Sequence, residues 1–212
     1  MKVVILGGQG DGLVAAQIIE DMSSQGQDIE LVGFLNDHEA MGSLIGGYPV
    51  LGKTSEWHNL PEEWGYHFSL LSVGKMRERA LLIKSFNIPI DRVVSLIHPT
   101  ALISRTASVG KGTLVAAYAV MQPGSQLGLC CSVRAGANIG HDVSVGDFVY
   151  VGPNATLCGY SGVAEGVFLA PNSVLRDRTK MGEYSVLAAA SVAYKDVPEN
   201  STWIGNPARR IA

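Results

Sequence analysis

The sequence predicts a small α/β half of Rossmann-like type followed by an all-β half built as a parallel β-helix of hexapeptide repeats. Two observations carry this prediction. Over the first ~95 residues, short apolar runs of strand length alternate with stretches of helical period, the pattern of a parallel sheet with covering helices. From Ile97 onward every sixth residue is aliphatic (Ile97, Ile103, Val109, Val115, Met121, Leu127, Val133, Ile139, Val145, Val151, Leu157, Val163, Leu169, Leu175, Met181, Leu187) without interruption. The residue four further on is small or β-branched nearly throughout, from Ala101, Ala107 and Thr113 to Ser185 and Ser191. Three such hexapeptides close one triangular coil, so residues 97–192 make about five coils. The expected divisions are residues 1–95, 96–195 and a C-terminal tail, 196–212.

In the first half, Lys2 to Gly8 is a short β run entering glycines, and Leu13 to Met22 carries apolar residues at helical spacing. Ile29 to Asp37 is a second apolar run. Tyr66 to Gly74, a charged helix from Lys75 to Phe86, and Val93 to Ile97 complete the series. The glycines Gly7, Gly8, Gly10 and Gly12 lie between the first strand and the first helix, where free amides and the positive helix end suit a phosphate. Gly10 to Ala15 also fits GxGxxA, a dinucleotide motif, although about four strands are too few for the full dinucleotide fold. Asp37, at the end of the second run, can meet a ribose or base, or simply cap a turn.

In the second half, each aliphatic residue is expected to stack on the one eighteen positions away, one coil up, at a β spacing of about 4.8 Å. A charge in such a column would be buried without a partner, so Val145→Asp is expected to unfold the domain. Most of this half is scaffold, which makes its outliers informative. His141 and Asp142 are the chief ones. His141 follows the glycine after Ile139, where the chain faces outward, and the only other histidine of the tract is His98 at its start.

Composition narrows the function. Hydrophobic residues are 47% and charged residues 17% of the 212, too apolar for a disordered chain and too interrupted for a membrane span. The first apolar run is only about five residues, short of the ~7–15 a signal peptide needs, so a cytoplasmic location is expected. The net charge of −3 and the lack of a Lys/Arg block argue against nucleic acid as a ligand. Cys130, Cys131 and Cys158 show no zinc spacing and read as packed thiols, and Trp57, Trp64 and Trp203 read as packing residues.

The run NIGHDVSVGDFVYVGPNATLCG, the closing KDVPENSTWIGNPARR, and the N-terminal GGQGDG, GFLND and GGYPVLG together resemble acyl-CoA-dependent sugar acyltransferases. That family includes bacillosamine and perosamine N-acetyltransferases and sialic-acid O-acetyltransferases. The resemblance covers nearly the whole chain. It implies a left-handed β-helix, against the usual right-handed crossover, a homotrimer with sites between subunits, acetyl-CoA as co-substrate, and a UDP- or GDP-linked sugar held by the first half at Gly8, Gly10, Gly12, Asn36 and Asp37. It further implies His141 as general base, since an imidazole accepts protons near neutral pH. Asp142 would orient that base, and Gly159, eighteen residues on, would offer its amide to the acetyl group. Adjacent residues in an extended segment point to opposite faces, which leaves a neighbouring subunit as the other source of the ring's partner; a corner glycine chosen for positive φ is an equal account of Gly159, and both can hold.

Many relatives carry a second histidine nine residues after the first, where this chain has Tyr150. The substitution leaves the contact to cofactor or sugar open and argues against a γ-carbonic-anhydrase reading, which needs three histidines around one metal. No metal is expected. Against N-acetylation of a 4-amino-sugar stand O-acetylation of a sialic acid or similar sugar, a non-catalytic nucleotide-sugar-binding trimer and, last, NAD-dependent oxidoreduction.

Overall fold

The structure, a computed structural model, describes all residues from Met1 to Ala212. The α/β half comprises β1 (Lys2–Leu6), α1 (Asp11–Ser24), β2 (Glu30–Leu35), β3 (Leu44–Ile45), β4 (Tyr48–Gly52), β5 (Gly65–Phe68) and α2 (Met76–Ser85). The sheet order is β3-β4-β2-β1-β5. All pairings are parallel except the β3–β4 hairpin, which turns through Gly46 and Gly47, both of positive φ. The parallel strands therefore run outward from β1 in opposite directions, with the switch in strand order between β1 and β5. In open α/β sheets, ligands bind beyond the strand C-termini at such a switch.

Two segments differ from expectation. Tyr66 to Gly74 is strand only as far as Phe68, because the serines and glycine that follow turn over the strand end. Val93 to Ile97 is not a further strand of this sheet. Val93 makes a single bridge to Tyr66, whereas Leu96–Ile97 pairs with Leu114–Val115 and starts the β-helix.

The second half is a left-handed parallel β-helix with three faces. Face 1 stacks Leu96–Ile97, Leu114–Val115, Ser132–Val133, Tyr150–Val151, Phe168–Leu169 and Val186–Leu187. Face 2 runs from Leu102–Ile103 through Asn138–Ile139 to Val192–Ala193, and face 3 from Ser108–Val109 through Ser144–Val145 to Lys180–Met181. Every partner is eighteen residues away, as the period requires: Leu127, Val145 and Val163 form one column, each at most 5% exposed. The small residue two places before each aliphatic one also points inward; Ala137, Ala155 and Ser173 are fully buried. Each coil thus buries two side chains per face, the second small enough to let the chain turn. The tail adds a last strand to face 1 (Thr202–Gly205) and folds back as a hairpin through Ala208–Arg210.

One regularity was not read from the sequence. Every sixth residue from Gly112 to Ala190 has a positive φ, between 51° and 74°, so each corner turns through a left-handed residue. Tyr118, Phe148, Arg178 and Ala190 occupy such positions alongside glycines and asparagines, although side chains other than Asn and Asp rarely adopt them. The coil geometry imposes the conformation.

The α/β half packs on face 1. α1 residues such as Ala15 and Ile19 share a core with Leu96, Leu114 and Ala116; β1, β5 and α2 share another with Cys130 and Phe148. Trp57 and Trp64 pack against that second core and Trp203 against the β-helix interior. Cys130 and Cys131 are buried thiols, pushed up to about 12 by burial. No helix is long and apolar enough to cross a membrane.

Candidate active site

His141 and Asp142 form the corner between faces 2 and 3, the corner opposite the face that the α/β half covers. They stand in a turn, not an extended segment. Asp142 takes the left-handed position with φ 55°, and this brings its Oδ2 to 3.0 Å from His141 Nδ1. The expected opposite orientation of neighbouring side chains therefore does not apply. With Nδ1–H donated to the carboxylate, Nε2 keeps its lone pair free.

The stacked coils shape the space around this pair. Gly159 lies one coil above His141, and a Cβ there would stand 2.6 Å from His141 Nε2 and 2.7 Å from Cε1. Its glycine is therefore required by the ring, not by φ, since the left-handed residue of that corner is the next one, Tyr160. One coil below, a Cβ on Gly124 would come within 2.5 Å of Asp142 Oδ1. Both members of the pair thus sit in room left by a stacked glycine. Tyr160 closes the side of the site, edge-on to the imidazole at 4.9 Å, with the Arg178 guanidinium 4.5 Å from its own ring centre. The Gly159 N–H makes no hydrogen bond within the chain. At the C-terminal end of the same corner Lys195 lines a groove of about 380 Å³ with Tyr194, Trp203 and the hairpin arginines Arg209 and Arg210.

Tyr150 is elsewhere. It stacks on Phe168 at 4.7 Å on face 1, 5.7 Å from the Arg134 guanidinium, and burial raises its phenol above the ordinary value. Arg134, itself only 9% exposed, reaches across to the α/β half and pairs with Asp11 at 3.1 Å. One chain therefore separates Tyr150 from His141 and joins it to the start of α1.

The second candidate region is a cleft of about 330 Å³ over the C-terminal ends of β1, β2 and β5. Gly8, Asn36 and Asp37 line it. Gly10 is the left-handed N-cap of α1, and Gly12 is buried beneath Phe34, 3.1 Å from where its Cβ would be; neither forms the wall. Asn36 is committed to its own loop, donating to Gly7 O (2.8 Å) and accepting from the N–H groups of His38 and Glu39. The Asp37 carboxylate accepts from Thr54 N (2.9 Å) and Thr54 Oγ1 (2.7 Å), capping the short 3-10 turn Thr54–Asn59. Both hold the cleft's shape. Sequence reading missed Arg79, which lines the cleft from α2, and Gly124; the latter was findable as the residue eighteen before Asp142. No group of three or more His, Cys, Asp or Glu side chains could hold a metal ion.

A hexapeptide β-helix with an outward His–Asp pair, joined to an α/β nucleotide-type cleft, defines the class of acyltransferases built on this prism. No protein-family model matches the chain. The acetyltransferase domain of PglB from Neisseria gonorrhoeae FA1090 superposes with a TM-score of 0.86 at 30% identity, over 99% of both chains, and has also been solved with acetyl coenzyme A, over 99% of this chain and 98% of that one. PerB from Caulobacter crescentus, solved with CoA and GDP-perosamine, gives 0.86 at 26% identity over 100% of this chain and 98% of that one. GDP-perosamine N-acetyltransferase of Escherichia coli O157:H7 is 23% identical over 88% of this chain and 84% of its own length. The chain belongs to this family of hexapeptide-repeat N-acetyltransferases.

Proposed function

We propose that the protein transfers an acetyl group from acetyl-CoA to the amine of a UDP- or GDP-linked 4-amino-sugar. The observation that carries this is the His141–Asp142 pair, its imidazole Nε2 free and facing the space kept open by Gly159. Acetyl-CoA supplies the activated acyl group; His141 and Gly159, with Lys195 on the same corner and Arg209 and Arg210 of the C-terminal hairpin beside it, are the residues that would hold it. The amine must lose a proton as it is acylated, and Nε2 is placed to take it while Asp142 keeps Nδ1 protonated. The Gly159 N–H, free of any bond within the chain, is the donor available to an oxygen that gains charge beside the ring.

The α/β half covers face 1 and His141 stands at the opposite corner, so the cleft and the imidazole of one chain lie on different sides of the prism. The arrangement favours a site in which a neighbouring copy supplies one of the two. This supports a homotrimer with the site between subunits, to be read from mass in solution by light scattering. The reaction is tested by following CoA thiol release with UDP- and GDP-4-amino-sugars: acetamido product is expected, together with a loss of about 10²–10⁴ in rate for His141→Asn. A full rate for that variant across pH refutes the general base, and competing hydroxyl acceptors separate N- from O-acetylation.

A further inference from the structure

Among the fourteen residues that line the cleft of the α/β half, Arg79 is the only lysine or arginine. Its guanidinium makes no ion pair and no hydrogen bond with any group of the chain, and its Nε is buried without a partner. A buried donor of this kind is destabilising unless something binds it. The two acids that line the cleft are already engaged. Asp11, the nearest acid at the helix end, is paired with Arg134, and both oxygens of Asp37 accept from Thr54.

The helix that carries Arg79 is itself fixed. Arg77 lies over the Tyr184 ring at 3.8 Å and donates to Asn200, and Lys84 pairs with Glu165 at 2.8 Å, so the neighbouring cations of α2 are spent on the β-helix. Their interactions turn one side of α2 to face 1 and leave Arg79 over the end of β5, where the strand order switches.

Resting on the nucleotide-sugar reading above, we propose that Arg79 binds the diphosphate of the nucleotide, its Nε and terminal nitrogens supplying the charge-assisted hydrogen bonds that hold the anion at the mouth of β1 and β5. Asp11 would repel such an anion at the start of α1, and its pairing with Arg134 removes that charge from the cleft.

The test compares uridine, UMP and UDP, and guanosine, GMP and GDP, for binding to the full-length wild type, Arg79→Gln and Arg79→Lys. Calorimetry reads the tighter ligands and ligand-observed NMR the weaker ones. Arg79→Gln is expected to weaken the preferred diphosphate about 10- to 100-fold and to leave the nucleoside unchanged, with Arg79→Lys recovering part of the loss. Unfolding temperatures confirm that each variant folds. An equal loss for nucleoside and diphosphate, which base stacking would produce, overturns the assignment, as does an unchanged diphosphate affinity. A wild type that binds none of the six overturns the nucleotide reading itself and the assignment with it.

Discussion

Replacing Gly159 by alanine moves the imidazole without touching it chemically. The added methyl would lie 2.6 Å from His141 Nε2, against about 3.4 Å for ordinary contact, so one of the two must yield by about 0.8 Å. The glycine backbone is held by the coil above, where Arg178 N–H donates to Gly159 O at 3.1 Å. The ring is half exposed and tethered through Nδ1, so it is the ring that swings outward. A displacement of this size at reacting atoms costs about 100-fold, or ~2.7 kcal/mol of transition-state stabilisation. The fold should be indifferent, since Gly159 needs no positive φ and the displaced ring enters solvent. Steady-state CoA release is therefore expected to fall about 100-fold in Gly159→Ala with an unfolding temperature within about 2 °C of wild type. In a His141→Asn background the same change should cost little, because both act through one group. Full activity in the single variant refutes the placement of the ring. Additive losses in the double variant refute the claim that Gly159 acts through it.

Val145→Asp should leave no folded protein in circular dichroism: Val145 is 4% exposed between Leu127 and Val163, and an unpaired carboxylate there adds several kcal/mol to the lost aliphatic burial. His67 on β5 is wholly buried, its Nδ1–H donating to Val94 O at 3.0 Å, and burial lowers its pKa from 6.5 to about 4. The unfolded chain then binds the proton more readily, so stability is full above pH ~6.5 and falls by about 3 kcal/mol as pH drops toward 4. Urea midpoints across that range should fall less steeply in His67→Gln than in wild type, and equal slopes would show that His67 is not the group.

The β-helix was legible because its physics is one-dimensional. A six-residue period with aliphatic Ile97 to Leu187 admits one stacking register, and the observed pairs, such as Ile139 with Leu157, follow it. The corners were less legible. Their left-handed φ falls on Tyr, Phe, Cys, Arg and Ala as well as on Gly and Asn, so residue type does not mark it, and the contact between His141 and Asp142 depends on it. In the α/β half, the strand of Leu96–Ile97 was ambiguous because a short apolar run suits either sheet; only the eighteen-residue partner, Leu114–Val115, decides. Asn36 and Asp37 show a different limit. An acidic strand end can face a ligand or brace its own loop, and the sequence does not say that Thr54 will arrive to accept the bracing role. Arg79 escaped notice because one arginine on a charged helix is ordinary until its neighbours are seen to be spent elsewhere.

A half-exposed histidine is usually mobile, and a base must be placed to within a fraction of an ångström. The corner resolves this tension through its backbone. Asp142 N–H donates to Pro123 O at 3.0 Å, Tyr160 N–H to His141 O at 3.1 Å, and Arg178 N–H to Gly159 O, so successive coils brace one another at the corner itself. With φ of Asp142 set by the coil and its carboxylate seated over Gly124, the imidazole has its position set by main-chain hydrogen bonds, the Asp142 carboxylate and the edge of Tyr160, with little further packing. That leaves its outer side open to a second molecule. A scaffold whose register cannot slip by one residue without exposing a whole aliphatic column is what allows an exposed base to be an accurate one.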